Sequence, residues 1–438
     1  MKEARIPLLS TDPTAPRHHL GADYWKFWTG QTISHLGSSF TFFALPLLTY
    51  KLTGSAFNLS LTAVATFLPF LLFGLVIGAL VDRADRKRLM IFTDLTRTVI
   101  VATIPLLASF GLLAVWWIYI VAFIQSTLSI FFDSAEFASI PSLVDKDDLV
   151  TANGRIQASY SGAKIVGPLL AGALLLIIPL PTLLIGDALS FLISVCSLLL
   201  IRRSFNAEPS DLAGGASEAG EPVQPKSIYR DIVEGLRYIF GHPVLRNLSI
   251  MMAIFNFVYS PVFTQLVLFA RVQFQASATQ ISWIYSIESM GVIVFSILAG
   301  RIRKQWSFSV VALGSLMLMG LMVVLLAFIH WYWIGAVIWA ISVGLTMLYN
   351  INDASMRQSF VPNQMLGRVI TVENVISFSA IPLGSFLGGL LIQLTNNVVL
   401  IYASSGILIF LTAFAFIFTA LGHANRYLPQ PEAVPVVK

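Results

Sequence analysis

Charge is what this sequence has least of. Of 438 residues, 27 are Lys or Arg and 22 are Asp or Glu, 11% in all, where a soluble domain usually carries about a quarter. That shortage, beside 56% hydrophobic residues, excludes a soluble enzyme, a disordered chain and a nucleic-acid binder. Cysteine is nearly absent. The single Cys196 lies in an apolar run, so there is no intramolecular disulfide framework and no Cys-based metal site. The thiol is expected to be a small buried hydrophobe. No Gly-x-x-x-x-Gly-Lys-Ser/Thr loop and no His-x-x-x-His set occurs, so neither a metal nor a cofactor is expected. No nucleophile and base stand out as a constellation, and no enzyme is expected.

Long apolar runs are what the chain has instead. A bilayer core takes about 20 apolar residues per helix. Twelve stretches qualify: 25–49, 57–81, 89–113, 116–138, 156–179, 181–201, 246–270, 279–299, 307–329, 331–352, 367–392 and 398–421. The fourth, fifth and eleventh are the least clean, because they carry charge or Gly and Pro. The fold class expected is an all-α membrane protein with twelve transmembrane helices. The polar N-terminal tail has no apolar core or cleavage site of a signal peptide.

The few charges are sorted by side. An even number of spans puts both termini together. Only Lys51 and Arg271 of the basic residues fall on the opposite side, and only Arg97 and Lys164 within spans. Basic loops mark the cytoplasm, so both termini are expected there, in a multi-pass protein of the plasma (inner) membrane. The formal net charge of +5 is then a topology signal. The bilayer is the expected partner, with no nucleic acid and no obligate protein partner evident.

One long connection divides the chain. The expected organisation is a tail (1–24), a six-helix bundle (25–201), a linker (202–245), a second six-helix bundle (246–421) and a tail (422–438). Asn206 to Pro225 is rich in Gly, Ala, Ser, Pro and Glu and cannot build a core. After it, Ile228, Ile232, Leu236 and Phe240 recur at i, i+4, the pattern of a short amphipathic helix on the cytoplasmic surface. A shift of 217 places Glu136 on Asp353, Gly167 on Gly384 and Gly172 on Gly389. Parallel repeats of this kind belong to transporters with a site between their halves.

Between the second and third spans stands Gly78-Ala-Leu80-Val-Asp82-Arg83-Ala-Asp85-Arg86-Lys87-Arg88. It resembles the signature of the major facilitator superfamily, Gly-x-Leu-Ala-Asp-Arg-x-Gly-Arg-Lys, with Asp85 where the second Gly usually stands. Gly78 would let two helices approach closely, and the basic cluster would anchor the loop among head groups. Gln31, Ser34 and His35 in helix 1, Asp94 and Arg97 in helix 3, Ile140-Pro141 after helix 4, and Val361-Pro362 with Gly367-Arg368 before helix 11 narrow the likeness. Together they resemble the drug:proton antiporter group that includes macrolide and siderophore exporters. That resemblance implies two pseudo-symmetric bundles and a cytoplasmic latch, with Arg86 meeting an acid at Asp133 or Glu136 and Asp82 meeting the start of helix 11.

Ionisable groups at membrane depth are costly and must be paired or functional. Glu288, near the middle of the eighth span, is the leading candidate for proton coupling. Glu373 follows and could face Asp82 or Arg368. Asp187, in the sixth span, reads first as an interhelical hydrogen-bonding group and second as a relay. Asp94 and Arg97 share a helix face three residues apart, as an ion pair would require. Lys164 needs an acid, a water path or a snorkelling route, with Asp133, Glu136 and Glu288 as candidate partners. Gly167-Pro168, and Pro382 with Gly384, suggest helix breaks, because proline removes a donor. Gln31, Ser34, His35, Asn256, Tyr259 and Gln265 could line a cavity, since helices 1 and 7 do so in the resembled family. The function expected is proton-coupled export of amphipathic small molecules by alternating access. A lipid or lysophospholipid translocator on the same scaffold, and a non-transporting receptor or scaffold, stay open.

Overall fold

The computed structural model describes residues 20–81, 83–145, 148–206 and 228–427. Asp82, most of the N-terminal tail, residues 207–227 of the linker and the end of the C-terminal tail lie outside them, as do the side chains around Gly367 and Arg368. No strand occurs among the described residues. The helices are α1 (Ala22–Thr53), α2 (Ala56–Val81), α3 (Arg86–Ser109), α4 (Val115–Leu143), α5 (Leu149–Leu174), α6 (Leu183–Leu200), α7 (Ile228–Gly241), α8 (Pro243–Thr264), α9 (Leu266–Gln273), α10 (Ala278–Gln305), α11 (Phe308–Phe328), α12 (Tyr332–Phe360), α13 (Asn363–Thr395) and α14 (Val398–Phe416).

Among the described residues, ten helices are long and apolar enough to cross a membrane. α1 and α5, with 32 and 26 residues, reach the length but are more polar. α1 lies against α5 and α6, and α5 against α1 and α10; these two are the helices that the expected twelve would add to the ten. Apolar side chains cover the outside, as lipid demands. Cys196 is on that outside, beside the exposed Ile193, Leu199 and Leu200. The expectation of a thiol buried in protein is therefore corrected: an apolar run marks contact with lipid as readily as a core.

Local chemistry sets the helix ends. Gly54 closes α1 at φ +60°, donating its N–H to the Tyr50 carbonyl, a left-handed cap that suits glycine. Ser277 and Gln280 form a reciprocal capping box at α10. Asp85, the departure from the family signature, accepts from Arg88 N at 3.0 Å and caps α3 from an extended conformation. The seventh span, expected to be continuous, divides at Gln265. Pro261 lies in the preceding turn, and the Gln265 side chain is drawn sideways to the Ala56 carbonyl and Ser60 Oγ, both at 2.8 Å. On α7, Leu236 of the expected stripe packs on the core and Ile239 beside it is buried, while Phe240 is 48% exposed; the side chains of Ile228 and Ile232 lie outside the described residues.

Two pairs of glycines fix how α5 and α13 sit. A Cβ added at Gly167 would lie 2.3 Å from Ser39 Cβ of α1, and one at Gly384 2.0 Å from the Phe257 carbonyl oxygen of α8. One turn further on, a Cβ at Gly172 would meet Ser282 Oγ of α10 at 1.8 Å, and one at Gly389 would meet Ser60 Oγ of α2 at 2.0 Å. Each helix thus presses on one neighbour within its own set of six and on one from the other set. The expected close approach at Gly78 is corrected, since nothing stands within 4 Å of its Cβ position. Pro168 and Pro382 do not interrupt their helices either. Both lie inside continuous α5 and α13, which lose a hydrogen bond there without ending.

The end of the molecule carrying both described chain ends, the terminal face, is held by polar clasps. Tyr24 Oη donates to the Ala152 carbonyl and Lys26 Nζ to the Leu200 carbonyl. Ser309 Oγ donates to the Leu421 carbonyl, joining α11 to the segment after α14. The opposite end, the far face, carries the turns after α1, α3, α5, α9, α11 and α13.

Candidate functional site

α12 and α13 place three ionisable groups together. Asp353 and Arg357 are four apart on α12 and ion-paired, and Arg357 is also paired with Glu373 of α13. One guanidinium stands between two carboxylates, and all three residues are buried. The triad carries one negative charge in excess. Asp353 Oδ1 and Arg357 Nε are buried without a hydrogen-bond partner, so it is not saturated. Charge held away from water is expensive unless it is paired and fully bonded. Glu373 meets Arg357, a cation one helix away; Asp82 and the Arg368 side chain, its expected neighbours, lie outside the described residues.

Above the triad lies a cavity of about 320 Å³ between α8, α12 and α13. Asp353 and Arg357 face it, with Asn256, Tyr259, Asn350 and Asn374 among its polar groups and Phe255 and Phe378 among its rings. Phe255 stacks on Tyr259 at 5.3 Å. A cavity with an apolar wall and a few convergent polar groups fits a small amphipathic ligand. Asn256 is fixed by its Nδ2 donating to the Ser377 carbonyl at 3.0 Å. Of the six cavity candidates named from sequence, only Asn256 and Tyr259 face this space. Gln31 donates to Ser194 Oγ of α6 at 3.2 Å, and Gln265 bonds α2, so both belong to helix seams. Ser34 is buried within α1.

Glu288 of α10 is half-buried. Its Oε2 accepts from Trp339 Nε1 of α12 at 2.8 Å, and among the described residues it forms no ion pair. Its charge acts on Tyr259 and Tyr285, which links it to the cavity through Tyr259. The next residue, Ser289, donates to the Lys164 carbonyl of α5 at 3.2 Å, so Glu288 stands at the seam between α10 and α5. The expectation that Lys164 belongs to an intramembrane ion pair is corrected. Its ammonium lies 4.4 Å from the Tyr160 ring centre on its own helix, it is exposed, and its charge acts on Glu288 without a direct contact.

The first six helices hold a different cluster. Arg97 lies 3.2 Å from Asp94, donates to Ser129 Oγ and is flanked by Phe132 and Phe191, with ring centres 5.0 and 5.2 Å away. On α4, Glu136 is buried with its Oε1 3.8 Å from His35 Nε2 of α1, while Asp133 is exposed. Arg97, Glu136 and His35 all act on Asp133 electrostatically. Asp187 is fully buried and accepts from Thr41 and from Ser38 of α1 and Ser190 of α6.

In the basic motif Arg88 pairs with Asp85 at 3.3 Å, while Arg86 and Lys87 bond backbone carbonyls. Arg86 Nη1 donates to the Ala138 carbonyl at 2.9 Å and the Phe205 carbonyl at 3.1 Å, and Lys87 Nζ to the Ile201 carbonyl at 2.7 Å. Arg83 is exposed. The expected pairing of Arg86 with Asp133 or Glu136 is thus corrected: Arg86 bonds carbonyls near the end of α4 and beyond α6, and Lys87 the C-cap carbonyl of α6, where the helix field favours positive charge.

Sequence reading missed Asp353 and Arg357 as site residues. A signal existed in their i, i+4 spacing just past the tenth apolar stretch, and in the placing of Asp353 on Glu136 by the internal repeat.

This arrangement, long apolar helices around buried charge and a polar cavity, is that of a membrane transporter. Residues 27–385 match the Major Facilitator Superfamily, and the chain belongs to that family. It is 27% identical over 372 residues to macrolide efflux protein A of Streptococcus pyogenes, covering 84% of this chain and 88% of that one. It is 27% identical over 366 residues to the multidrug efflux pump Tap of Mycolicibacterium fortuitum, covering 81% and 85%. Its fold is similar to that of a bacterial homologue of the human lysosomal transporter Spinster, with a TM-score of 0.71 at 13% identity over 93% of this chain and 98% of that one. A bacterial homologue of the iron transporter ferroportin gives 0.67 at 14% identity, over 90% and 98%.

Proposed function

We propose that this transporter exports amphipathic small molecules in exchange for protons, from a plasma membrane in which both termini face the cytoplasm. Its two six-helix bundles, 25–201 and 246–421, rock about the seams that α5 makes with α10 and α13 makes with α2. The observation that carries the reading is Glu288. Its carboxyl accepts from Trp339, has no ion pair among the described residues, and feels the charge of Lys164 across the α5–α10 seam. A proton on that carboxyl removes a charge where the two bundles meet, and so alters the balance between inward and outward states. Moving such a balance from 1:99 to 99:1 takes about 5.5 kcal/mol of differential stabilisation. Proton binding and substrate binding together are of that order. The efflux proteins among its relatives support the direction of transport, and the apolar walls around Asn256 and Tyr259 support an amphipathic substrate.

The test is uptake into inverted vesicles of a panel of dyes, macrolides and siderophores, driven by a proton gradient. Native protein is expected to accumulate substrate only with the gradient present. Glu288→Gln is expected to lose at least about tenfold of that gradient-driven uptake, the equivalent of about 1.4 kcal/mol, while still binding substrate. Equal uptake by native protein after the gradient is collapsed ends the coupling reading.

A further inference from the structure

The far face carries two basic residues and no acid. No Asp or Glu occurs in 50–58, 105–118, 172–186, 264–287, 325–335 or 390–400, the segments around its turns. Lys51 and Arg271 are nevertheless not scattered there. They line a single cavity of about 690 Å³, Lys51 from the last turn of α1 and Arg271 from the last turn of α9. Among the described residues neither forms an ion pair, and Arg271 Nε is buried without a hydrogen-bond partner. A third positive feature points the same way. Ala278 and Thr279, the first two residues of α10, line the same cavity. The capping box takes only the Gln280 N–H, which leaves the first-turn donors of a 28-residue helix without intrahelical acceptors. The remaining wall is apolar and includes Leu47, Leu175, Ile178 and Leu180.

A basic residue in a last helical turn is favoured by the helix field, and that alone accounts for each cation singly. It does not account for two such helix ends and one helix start opening on the same space. Like charges facing each other across a cavity repel, and an anion between them converts the repulsion into charge-assisted bonds. We propose that this vestibule binds an anionic phosphate or carboxylate group carried on an apolar body. Because Lys51 belongs to the first six helices and Arg271 to the later ones, the bound anion cross-links the two sets at the far face. The site does not depend on the proton-coupling reading, and its test uses no transport.

Full-length protein in neutral phosphatidylcholine nanodiscs is titrated with dodecyl phosphate, and the Tm is followed. Native protein and Lys304→Gln, which removes an exposed cation on the terminal face, are expected to gain stability at the same concentrations. Lys51→Gln and Arg271→Gln are each expected to respond at about tenfold higher concentration, and the double variant not at all. Lys51→Arg and Arg271→Lys are expected to respond like native protein, which separates charge from folding damage. If the double variant does not fold, exposed Lys51 decides the matter through Lys51→Gln alone. A double variant that responds like native protein overturns the proposal, and so does inorganic phosphate matching dodecyl phosphate. Nanodiscs containing phosphatidylglycerol identify the source. If that lipid raises the Tm of native protein and abolishes the response to dodecyl phosphate, the anion is a lipid head group, and otherwise it is a diffusible amphiphile.

Discussion

The first six helices and the later six share a skeleton and differ in where they keep their charge. Gly167 and Gly172 on α5 have their counterparts in Gly384 and Gly389 on α13, each pair pressed against one helix of its own set and one of the other. Around that common frame, α1, α3 and α4 spread His35, Asp94, Arg97, Asp133 and Glu136 along a partly exposed path. α12 and α13 gather Asp353, Arg357 and Glu373 into one buried knot under a cavity. The repeat therefore preserves backbone contacts and not electrostatics. Packing tolerates no added atom at these glycines, whereas a charge can be moved wherever a partner is available.

The largest effect expected from this contrast is at the two buried guanidinium groups. Arg357→Gln leaves two carboxylates facing each other in a buried site, and breaking such a pairing costs about 3–5 kcal/mol. Arg97→Gln leaves Asp94 without its cation but still bonded to Ser194, with Ser129 and two phenylalanine rings around the gap, and is expected to cost less. Thermal unfolding of the detergent-solubilised protein ranks them. A greater loss at Arg97 than at Arg357 breaks the contrast between a spread and a knotted cluster. Arg357→Gln combined with Glu373→Gln is expected to recover part of the loss, because it restores the single excess charge.

The glycine frame gives the next test. Overpacking a tight helix contact costs about 1–3 kcal/mol, so Gly167→Ala and Gly384→Ala both lower the Tm. The obstacle at Gly167 is the Ser39 side chain, and Ser39→Gly is expected to relieve it. At Gly384 the nearest atom is the Phe257 carbonyl oxygen, which no side-chain deletion removes, so Ser260→Ala leaves the defect in place. Recovery at both sites shows that α13 is free to shift and that the two seams are not equivalent.

Much of this was legible in the sequence. Span positions follow from apolar length, and the pairs Gly167/Gly384 and Gly172/Gly389 from the internal repeat. The nature of the contacts was less accessible. Residues three or four apart can be paired on paper, as with Asp94 and Arg97, because a helix brings them to one face. Glu373 with Arg357, or Arg86 with the Ala138 carbonyl, joins helices whose relative rotation no local pattern encodes. Lys164 could meet an acid, a water path or a snorkelling route, and the sequence does not choose; it lies in the open beside Tyr160. Cys196 and Gly78 misled for a related reason. In a membrane protein an apolar or small residue faces lipid as readily as it faces another helix, and periodicity alone does not separate the two.

The smallest effects expected are at the starts of the two helix sets, and they titrate at different pH. Asp23 at the head of α1 accepts from Lys26 Nζ at 2.8 Å and from the Arg202 and Arg203 amides at 3.2 and 3.1 Å. The Lys26 hydrogen bond in the first place holds its pKa below the ordinary carboxylate value. Its stabilisation is then complete above about pH 4 and is lost as pH falls through and below that range. His242 heads α8 instead. Its ring Nδ1 accepts from Leu245 N, a role open only to the neutral ring, and burial lowers its pKa. The unfolded chain takes up a proton below about pH 6.5 that the folded cap resists, so stability declines as pH falls below that value. Each step is expected to be at most about 1 kcal/mol, since both groups lie near water. Tm measured from pH 8 to pH 3.5 should show the later set weakening first. His242→Asn, which caps a helix without titrating, should erase the step near pH 6 and leave the one near pH 4, and Asp23→Asn should do the reverse. If His242→Asn leaves the upper step in place, some group other than this cap makes the later helices the more acid-sensitive.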